Sequence, residues 1–262
     1  MFQYTYITTK GLRETNQDAL LIQTARYQSR EILFAAVCDG MGGLACGEHA
    51  SAYAVSEAAA WFADTFARLA ESDADVLEIQ SSLDDLLHRI NDEINLAGER
   101  LGDMGTTFTA MLLDPEKNIL LSAHVGDTRL YRITDREAET LTTDHSVIAE
   151  ELHRGILTEE SARTDSRQNQ ITNCIGAGET GRAYDYSILE PEDNCTYLLC
   201  SDGFRKLISA DEIQQALAPS ANADTDALKR SLTALTELNL SRQESDNITA
   251  AAVKYTKERV VG

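Results

Sequence analysis

Apolar and polar positions alternate near the start of the chain, and short apolar segments rich in β-branched and aromatic side chains at residues 2–8, 19–24 and 32–38 lead us to expect that it opens as strands. The period then changes. Residues 47–70 are rich in Ala and Glu with scattered large apolar side chains, and from 76 to 101 the residues Val76, Ile79, Leu83, Leu86, Leu87, Ile90, Ile94 and Leu101 recur every three or four positions. That spacing predicts two long amphipathic helices. Strand patterning returns at 107–113, 119–125 and 130–134, with Asp114-Pro115-Glu116-Lys117-Asn118 and Gly126-Asp127 as turns, which predicts an antiparallel meander. A polar, mixed stretch over 144–178 holds short helical signals at 147–153 and 159–163. An apolar strand at 197–200, a helix through Leu228, Leu232, Leu235 and Leu238, and a last strand at 248–255 complete the reading. Strands, paired helices, strands, helix and strand do not alternate as a parallel α/β sheet does, so antiparallel sheets with helices on their outer faces are expected.

Composition narrows the picture. A chain of 262 residues with 43% hydrophobic content can bury one sizeable core. Gly and Pro are sparse, and neither a repeat nor a linker is visible, so one domain over 1–256 with a short tail at 257–262 is expected. The formal net charge of -20 repels nucleic acid and anionic lipid. No segment approaches the roughly 18 apolar residues that span a bilayer, and the start lacks a basic region followed by an apolar one. A cytoplasmic protein with no nucleic-acid or membrane partner is expected. Cys38, Cys46, Cys174, Cys195 and Cys200 are odd in number and lack C-x-x-C spacing, which points to reduced, mostly buried thiols rather than a zinc site or disulfide framework.

The chemistry suggested by the sequence is acidic. Asp39-Gly40 and Asp202-Gly203 each follow an apolar strand, Asp127 follows another through Gly126, and Asp246-Asn247 precedes one. Taken singly, each is an ordinary turn former. Repeated at several strand ends, they suit a pair of hard divalent cations, because a centre with ions about 3.5 to 4 Å apart needs carboxylates converging from separate segments. The run Asp39-Gly40-Met41-Gly42-Gly43-Leu44-Ala45-Cys46-Gly47-Glu48 also invites a nucleotide-binding reading. It lacks the Lys and the Ser or Thr of a P-loop, and the dinucleotide glycine spacing is not met. A leading Asp also repels phosphate unless a cation lies between.

These residues belong to an ordered set. Gly11-Leu12-Arg13-Glu14-Thr15-Asn16-Gln17-Asp18, Val37-Cys38-Asp39-Gly40-Met41-Gly42-Gly43, Met104-Gly105-Thr106-Thr107, Val125-Gly126-Asp127-Thr128-Arg129-Leu130-Tyr131, Leu141-Thr142-Thr143-Asp144-His145-Ser146, Leu199-Cys200-Ser201-Asp202-Gly203 and Asp246-Asn247-Ile248-Thr249 follow one another across nearly the whole chain. Together they resemble the type 2C family of metal-dependent serine/threonine protein phosphatases, in particular its bacterial branch. The resemblance implies an α+β fold: a four-layer αββα sandwich of two antiparallel sheets with helices on the outer faces and a binuclear metal site at one edge. It implies two ions, Mn²⁺ or Mg²⁺, with Asp39 bridging them, the Gly40 carbonyl completing one shell, and Asp202 and Asp246 on the other ion. Asp18 matches an acidic position acting largely through water. Asp127 matches a ligand of a third, weaker ion.

Arg13 matches the residue that grips the substrate phosphate, a role suited to a guanidinium fork. The implied reaction is hydrolysis of phosphoserine and phosphothreonine on proteins, by a metal-bridging hydroxide and with no covalent phosphoenzyme. Phosphorylated proteins are then the partners, a serine/threonine kinase opposes the enzyme, and a monomer is expected. Two departures matter. Met41 stands where eukaryotic relatives carry a His proposed as general acid, and Gln17 stands where many relatives have Glu. His145 is read as a loop-ordering residue before a replacement acid, and His49, His88, His124 and His153 are given no chemistry. Residues 144–178 correspond to the family's flap, where Arg154, Arg163 and Arg167 either meet a phosphopeptide or solvate the surface. A non-catalytic binding module of the same fold and a phosphatase of small phosphate esters remain as alternatives.

Overall fold

A computed structural model of the chain describes residues 1–27, 30–41, 46–162, 164–178 and 183–257. It begins with strands β1 (Phe2–Thr9), β2 (Asp18–Tyr27) and β3 (Arg30–Asp39), then helices α1 (Gly47–Ala60), α2 (Ala67–Glu71) and α3 (Val76–Leu101). Strands β4 (Gly105–Thr106), β5 (Phe108–Asp114), β6 (Ile119–Val125), β7 (Arg129–Ile133) and β8 (Ala138–Thr140) follow. Helices α4 (Val147–His153) and α5 (Glu159–Ala162) lead to β9 (Ile175–Gly176), β10 (Asp185–Leu189) and β11 (Cys195–Cys200). The chain closes with α6 (Asp202–Arg205), α7 (Ala210–Leu217), α8 (Thr225–Ser241) and β12 (Ile248–Tyr255).

Two five-stranded sheets, ordered β1-β12-β11-β7-β8 and β10-β6-β5-β3-β2, have antiparallel neighbours throughout. The two-residue period of β3 shows why they stack. Ile32, Phe34, Ala36 and Cys38 face α1 and α3, while Leu33, Ala35 and Val37 face the other sheet, and all seven are fully buried. On the second sheet, Tyr197, Leu199, Ala251 and Val253 fill the same central layer. Leu198, Cys200, Ala250 and Ala252 turn the other way to meet Ile213, Leu228 and Leu232 of α7 and α8. The four layers expected from the resemblance are therefore helices, sheet, sheet, helices.

Helix α3 has the predicted bounds because both ends are signalled locally. Asp75 accepts from the Leu77 and Glu78 N–H groups while Glu78 reaches back to the Asp75 N–H, and Gly102 at φ 94° ends the helix. The helix expected over 47–70 is interrupted by a π turn at Trp61–Phe66. Widening that turn brings residues five apart onto one face, so Trp61 and Phe66 approach to 5.8 Å and pack with Phe62 around Phe34. Helix α7 and strand β10 were not anticipated. Beyond Lys257 the expected tail lies outside the described residues, as do Gly42, Gly43 and Arg163.

Candidate active site

Antiparallel pairing brings the aspartate-bearing strand ends to one edge of the sandwich. Asp18 opens β2 and Asp39 closes β3, and the register sets them opposite each other. Directly paired residues share a face of the sheet, so the two carboxylates face the same space. Asp18 is buried; its Oδ2 accepts from the Ser201 hydroxyl at 2.9 Å and its Oδ1 has no hydrogen-bond partner among the described residues. Burial outweighs the pull of Thr249 and Ser201 and, with smaller repulsions from Asp202 and Asp246, pushes its carboxyl up to about 7. Asp39 is held well above the usual carboxylate range by burial and then by repulsion from Asp18, Asp202, Asp127 and Asp246. Asp39 is thus the electrostatic centre of five carboxylates from five segments.

Backbone contacts fix Asp39 and Gly40. The Asp39 N–H donates to Thr107 Oγ1 at 2.9 Å, its carbonyl accepts from the Thr107 N–H at 2.9 Å, and the Gly40 N–H donates to the Gln17 carbonyl at 3.0 Å. A Cβ on Gly40 would lie 2.3 Å from the Gly47 carbonyl oxygen, so only glycine lets the start of α1 close on the strand end. A Cβ on Gly203 would lie 2.1 Å from the Asn247 carbonyl oxygen and 3.1 Å from Asp246 Cβ. This bare backbone allows the turn carrying Asp246 to press against the helix that begins at Asp202.

Arg13 sits in the loop between β1 and β2, and Asn247 shapes that loop. Asn247 Oδ1 accepts from the Gln17 N–H at 2.8 Å, and its Nδ2 donates to the Lys10 and Thr15 carbonyls at 3.0 and 2.9 Å. The Arg13 side chain is 53% exposed, and its Nη2 donates to Asp246 Oδ2 at 2.9 Å. That contact, with the fields of Asp202 and Asp39, holds the guanidinium firmly charged. Gln17 Nε2 donates to Glu48 Oε2 at 3.1 Å, so its amide ties the loop to α1.

Asp127 lies in the turn between β6 and β7 and is 7% exposed. Its carboxyl is pushed up to about 7 by burial and Asp202, against the pull of Arg205. Behind it stands an ion cluster that the sequence did not reveal. Asp144 accepts from Arg129 Nε and Nη2 at 2.7 and 2.8 Å and from Arg205 Nη2 at 3.0 Å, and Arg205 also donates to the Asp127 carbonyl at 2.9 Å. Asp144 and Arg129 both belonged to the quoted motifs, yet nothing in their spacing disclosed the pairing.

His145 is committed to its loop, as expected. Its Nδ1 accepts from the Gly126 N–H at 3.3 Å, its Nε2 donates to Asp185 at 3.1 Å, and its backbone N–H donates to the Gly126 carbonyl at 2.7 Å. Within residues 144–178, Arg167 is taken up by Glu151 and Asp165, and Arg154 lies 3.7 Å from Glu150. These pairings favour surface solvation for both arginines.

The donor set fits hard divalent cations. It consists of carboxylate oxygens, with a buried oxygen of Asp18 that has no hydrogen-bond partner among the described residues and with mutual repulsion centred on Asp39. Among the described residues no three side chains close tightly enough to cage an ion unaided. Further oxygen donors, such as water, would therefore have to share in any coordination shell.

The family model described as Protein phosphatase 2C matches residues 11–240. The chain belongs to the protein phosphatase 2C family. Protein phosphatase PhpP of Streptococcus pneumoniae is 30% identical over 256 residues, covering 96% of this chain and 97% of PhpP. The crystal structure of a serine/threonine phosphatase from Staphylococcus aureus superposes with a TM-score of 0.83 at 26% identity, over 98% of this chain and 96% of that one. The catalytic domain of the serine/threonine protein phosphatase PstP in complex with two manganese ions gives 0.75 at 26% identity, over 98% and 99%. With these relatives, the reading as a metal-dependent serine/threonine protein phosphatase of the 2C family, and its sandwich fold, stands.

Proposed function

We propose that this family member removes phosphate from phosphoserine and phosphothreonine on proteins. In this reading two divalent cations, Mn²⁺ or Mg²⁺, are held by Asp39, the Gly40 carbonyl, Asp202 and Asp246, with Asp18 as a partner through water and Asp127 able to hold a third. The supporting observation is the electrostatic convergence of Asp18, Asp127, Asp202 and Asp246 on Asp39. When bound, the cations activate water at neutral pH and neutralise phosphoryl charge. The residues supply binding and orientation. Arg13, firmly charged and half-exposed, offers guanidinium donors to the phosphoryl oxygens. Asn247 holds its loop, and the Thr107 and Ser201 hydroxyls fix Asp39 and Asp18. Met41 carries no transferable proton, and both ring nitrogens of His145 are engaged, so neither is assigned as the acid for the leaving oxygen.

The same reading assigns one catalytic domain over 1–256 with a flap at 144–178, a serine/threonine kinase as the opposing enzyme, a monomer, and a cytoplasmic location. No helix among the described residues is long and apolar enough to cross a membrane. The deciding experiment is dephosphorylation of phosphoserine and phosphothreonine peptides with Mn²⁺, with Mg²⁺ and in EDTA, alongside Asp39→Asn and Asp202→Asn. Metal-dependent turnover lost in both variants is expected; turnover in EDTA, or a fully active variant, would refute the assignment.

A further inference from the structure

A cavity of about 460 Å³ opens beside the carboxylates, between the flap and the segment that follows β11. Asp127 and Asp202 are among its lining residues, so it is continuous with the region in which a phosphoryl group would sit. The lining is mixed, with charged and polar side chains beside apolar ones. Ile148 and Leu152 of α4 and Ala162 of α5 form one side, and Leu207 stands on the segment after α6. No residue of α4 is buried and Leu207 is 37% exposed, so this apolar surface is only partly covered by the fold.

Two of the cations in the walls are already paired within the protein, and the third is held by a neutral amide. Arg129 and Arg205 are engaged by Asp144, and Arg205 also by the Asp127 carbonyl. Lys206 Nζ donates to Asn169 Oδ1 at 2.8 Å, joining the two sides of the cleft. An acidic side chain entering here would find Arg129 and Arg205 held by Asp144 and would meet Asp127 and Asp202. An apolar one would displace water from Ile148, Leu152 and Leu207.

We infer that the cleft is a subsite for an apolar side chain of the substrate protein, close in sequence to its phosphorylated serine or threonine, with Ile148, Leu152 and Leu207 setting the preference. The inference rests on the phosphoprotein phosphatase reading above. Its reach is short, because the cleft adjoins the carboxylates and an extended chain advances only about 3.3 to 3.6 Å per residue.

The test uses synthetic phosphothreonine peptides, otherwise identical, with Leu, Ser or Glu scanned through the three positions on either side, turned over by the full chain with Mn²⁺. At one or two positions Leu is expected to exceed Ser in kcat/KM by about tenfold, the scale on which apolar pockets discriminate, with Glu lower still. Leu152→Ser and Leu207→Ser, on two separate lining segments, are expected to bring the Leu-to-Ser ratio close to one. The ratio is taken within each variant, so a loss common to both peptides cancels, and Ile148→Ser replaces either variant that does not fold. Metal-dependent turnover with no preference at any position, or a preference unchanged in the wall variants, overturns the subsite and leaves the phosphatase reading intact. No turnover of any peptide by folded, metal-loaded protein overturns that reading and the subsite with it.

Discussion

Arg13 and Asp246 are 233 residues apart in sequence and 2.9 Å apart in space, so the candidate phosphate ligand rests on a candidate metal ligand. A cation at Asp246 competes with the guanidinium for that carboxylate and leaves Arg13 available to phosphate. Arg13→Ala is therefore expected to lower kcat/KM on a phosphopeptide roughly ten- to a hundredfold, the scale of one or two charge-assisted hydrogen bonds. Mn²⁺ affinity, measured by calorimetric titration, should be unchanged or tighter. A parallel loss of metal affinity would show that Arg13 supports the carboxylates rather than the substrate.

Five mutually repelling carboxylates destabilise the fold when no cation is present. In EDTA, Asp39→Asn is expected to melt several degrees above the wild type, since it removes the carboxyl whose ionisation burial and the other four oppose. Added Mn²⁺ should reverse the order. The wild type gains about 2.7 kcal/mol at a hundredfold excess over Kd, while the variant gains little. Thermal melts of both proteins with and without Mn²⁺ check this, and an Asp39→Asn protein less stable than wild type in EDTA would contradict it.

Asp39, Asp127 and Asp202 were legible in sequence because each lies at a strand end beside a glycine, whereas Asp246 precedes its strand without one and Asp18 was given by the resemblance. Strand β12 and helix α3 were legible for a similar reason, since their period or caps lie within the segment. What escaped depends on distant partners. Ser201 reaches Asp18 across 183 positions and Asn247 reaches Lys10 across 237. Strand β10 carries Tyr186 and Ser187 beside each other on a sheet edge, so no clean alternation announces it. Helix α7 is different, because Ser209 and Glu212 form a capping box that local reading could have found. The π turn has no local signature, since its advantage lies in packing against Phe34.

Buried His124 makes stability depend on pH. A carbonyl can only accept, so Nε2 donates to the Thr143 carbonyl at 3.0 Å and Nδ1 accepts from the Thr109 hydroxyl at 2.8 Å. Burial, followed by the field of His145, depresses the imidazole to about 4. A depressed folded value means that stability is fully present above the unfolded pKa of about 6.5 and is lost as pH falls toward 4, a change on the order of 3 kcal/mol. Urea unfolding of the wild type and His124→Gln at pH 7 and pH 4.5 should show a smaller acid loss in the variant. Equal losses would exclude His124 as the titrating group.

Asp144 pairs with two arginines at once, with side-chain exposures of 10% for Asp144, 30% for Arg129 and 15% for Arg205. Asp144→Ala leaves both guanidinium groups without their carboxylate. Removing one partner of a fully buried pair costs about 3 to 5 kcal/mol, and the water still reaching Arg129 brings the expectation to about 2 to 3 kcal/mol. Thermal unfolding should show a fall of roughly 5 to 10 °C on that scale. Arg205 also holds the Asp127 carbonyl, so losing its anchor at Asp144 loosens the turn between β6 and β7. Asp144→Ala combined with Arg205→Leu should recover part of the lost stability, because the second change removes one stranded charge. Strict additivity of the two losses would mean that the residues act independently.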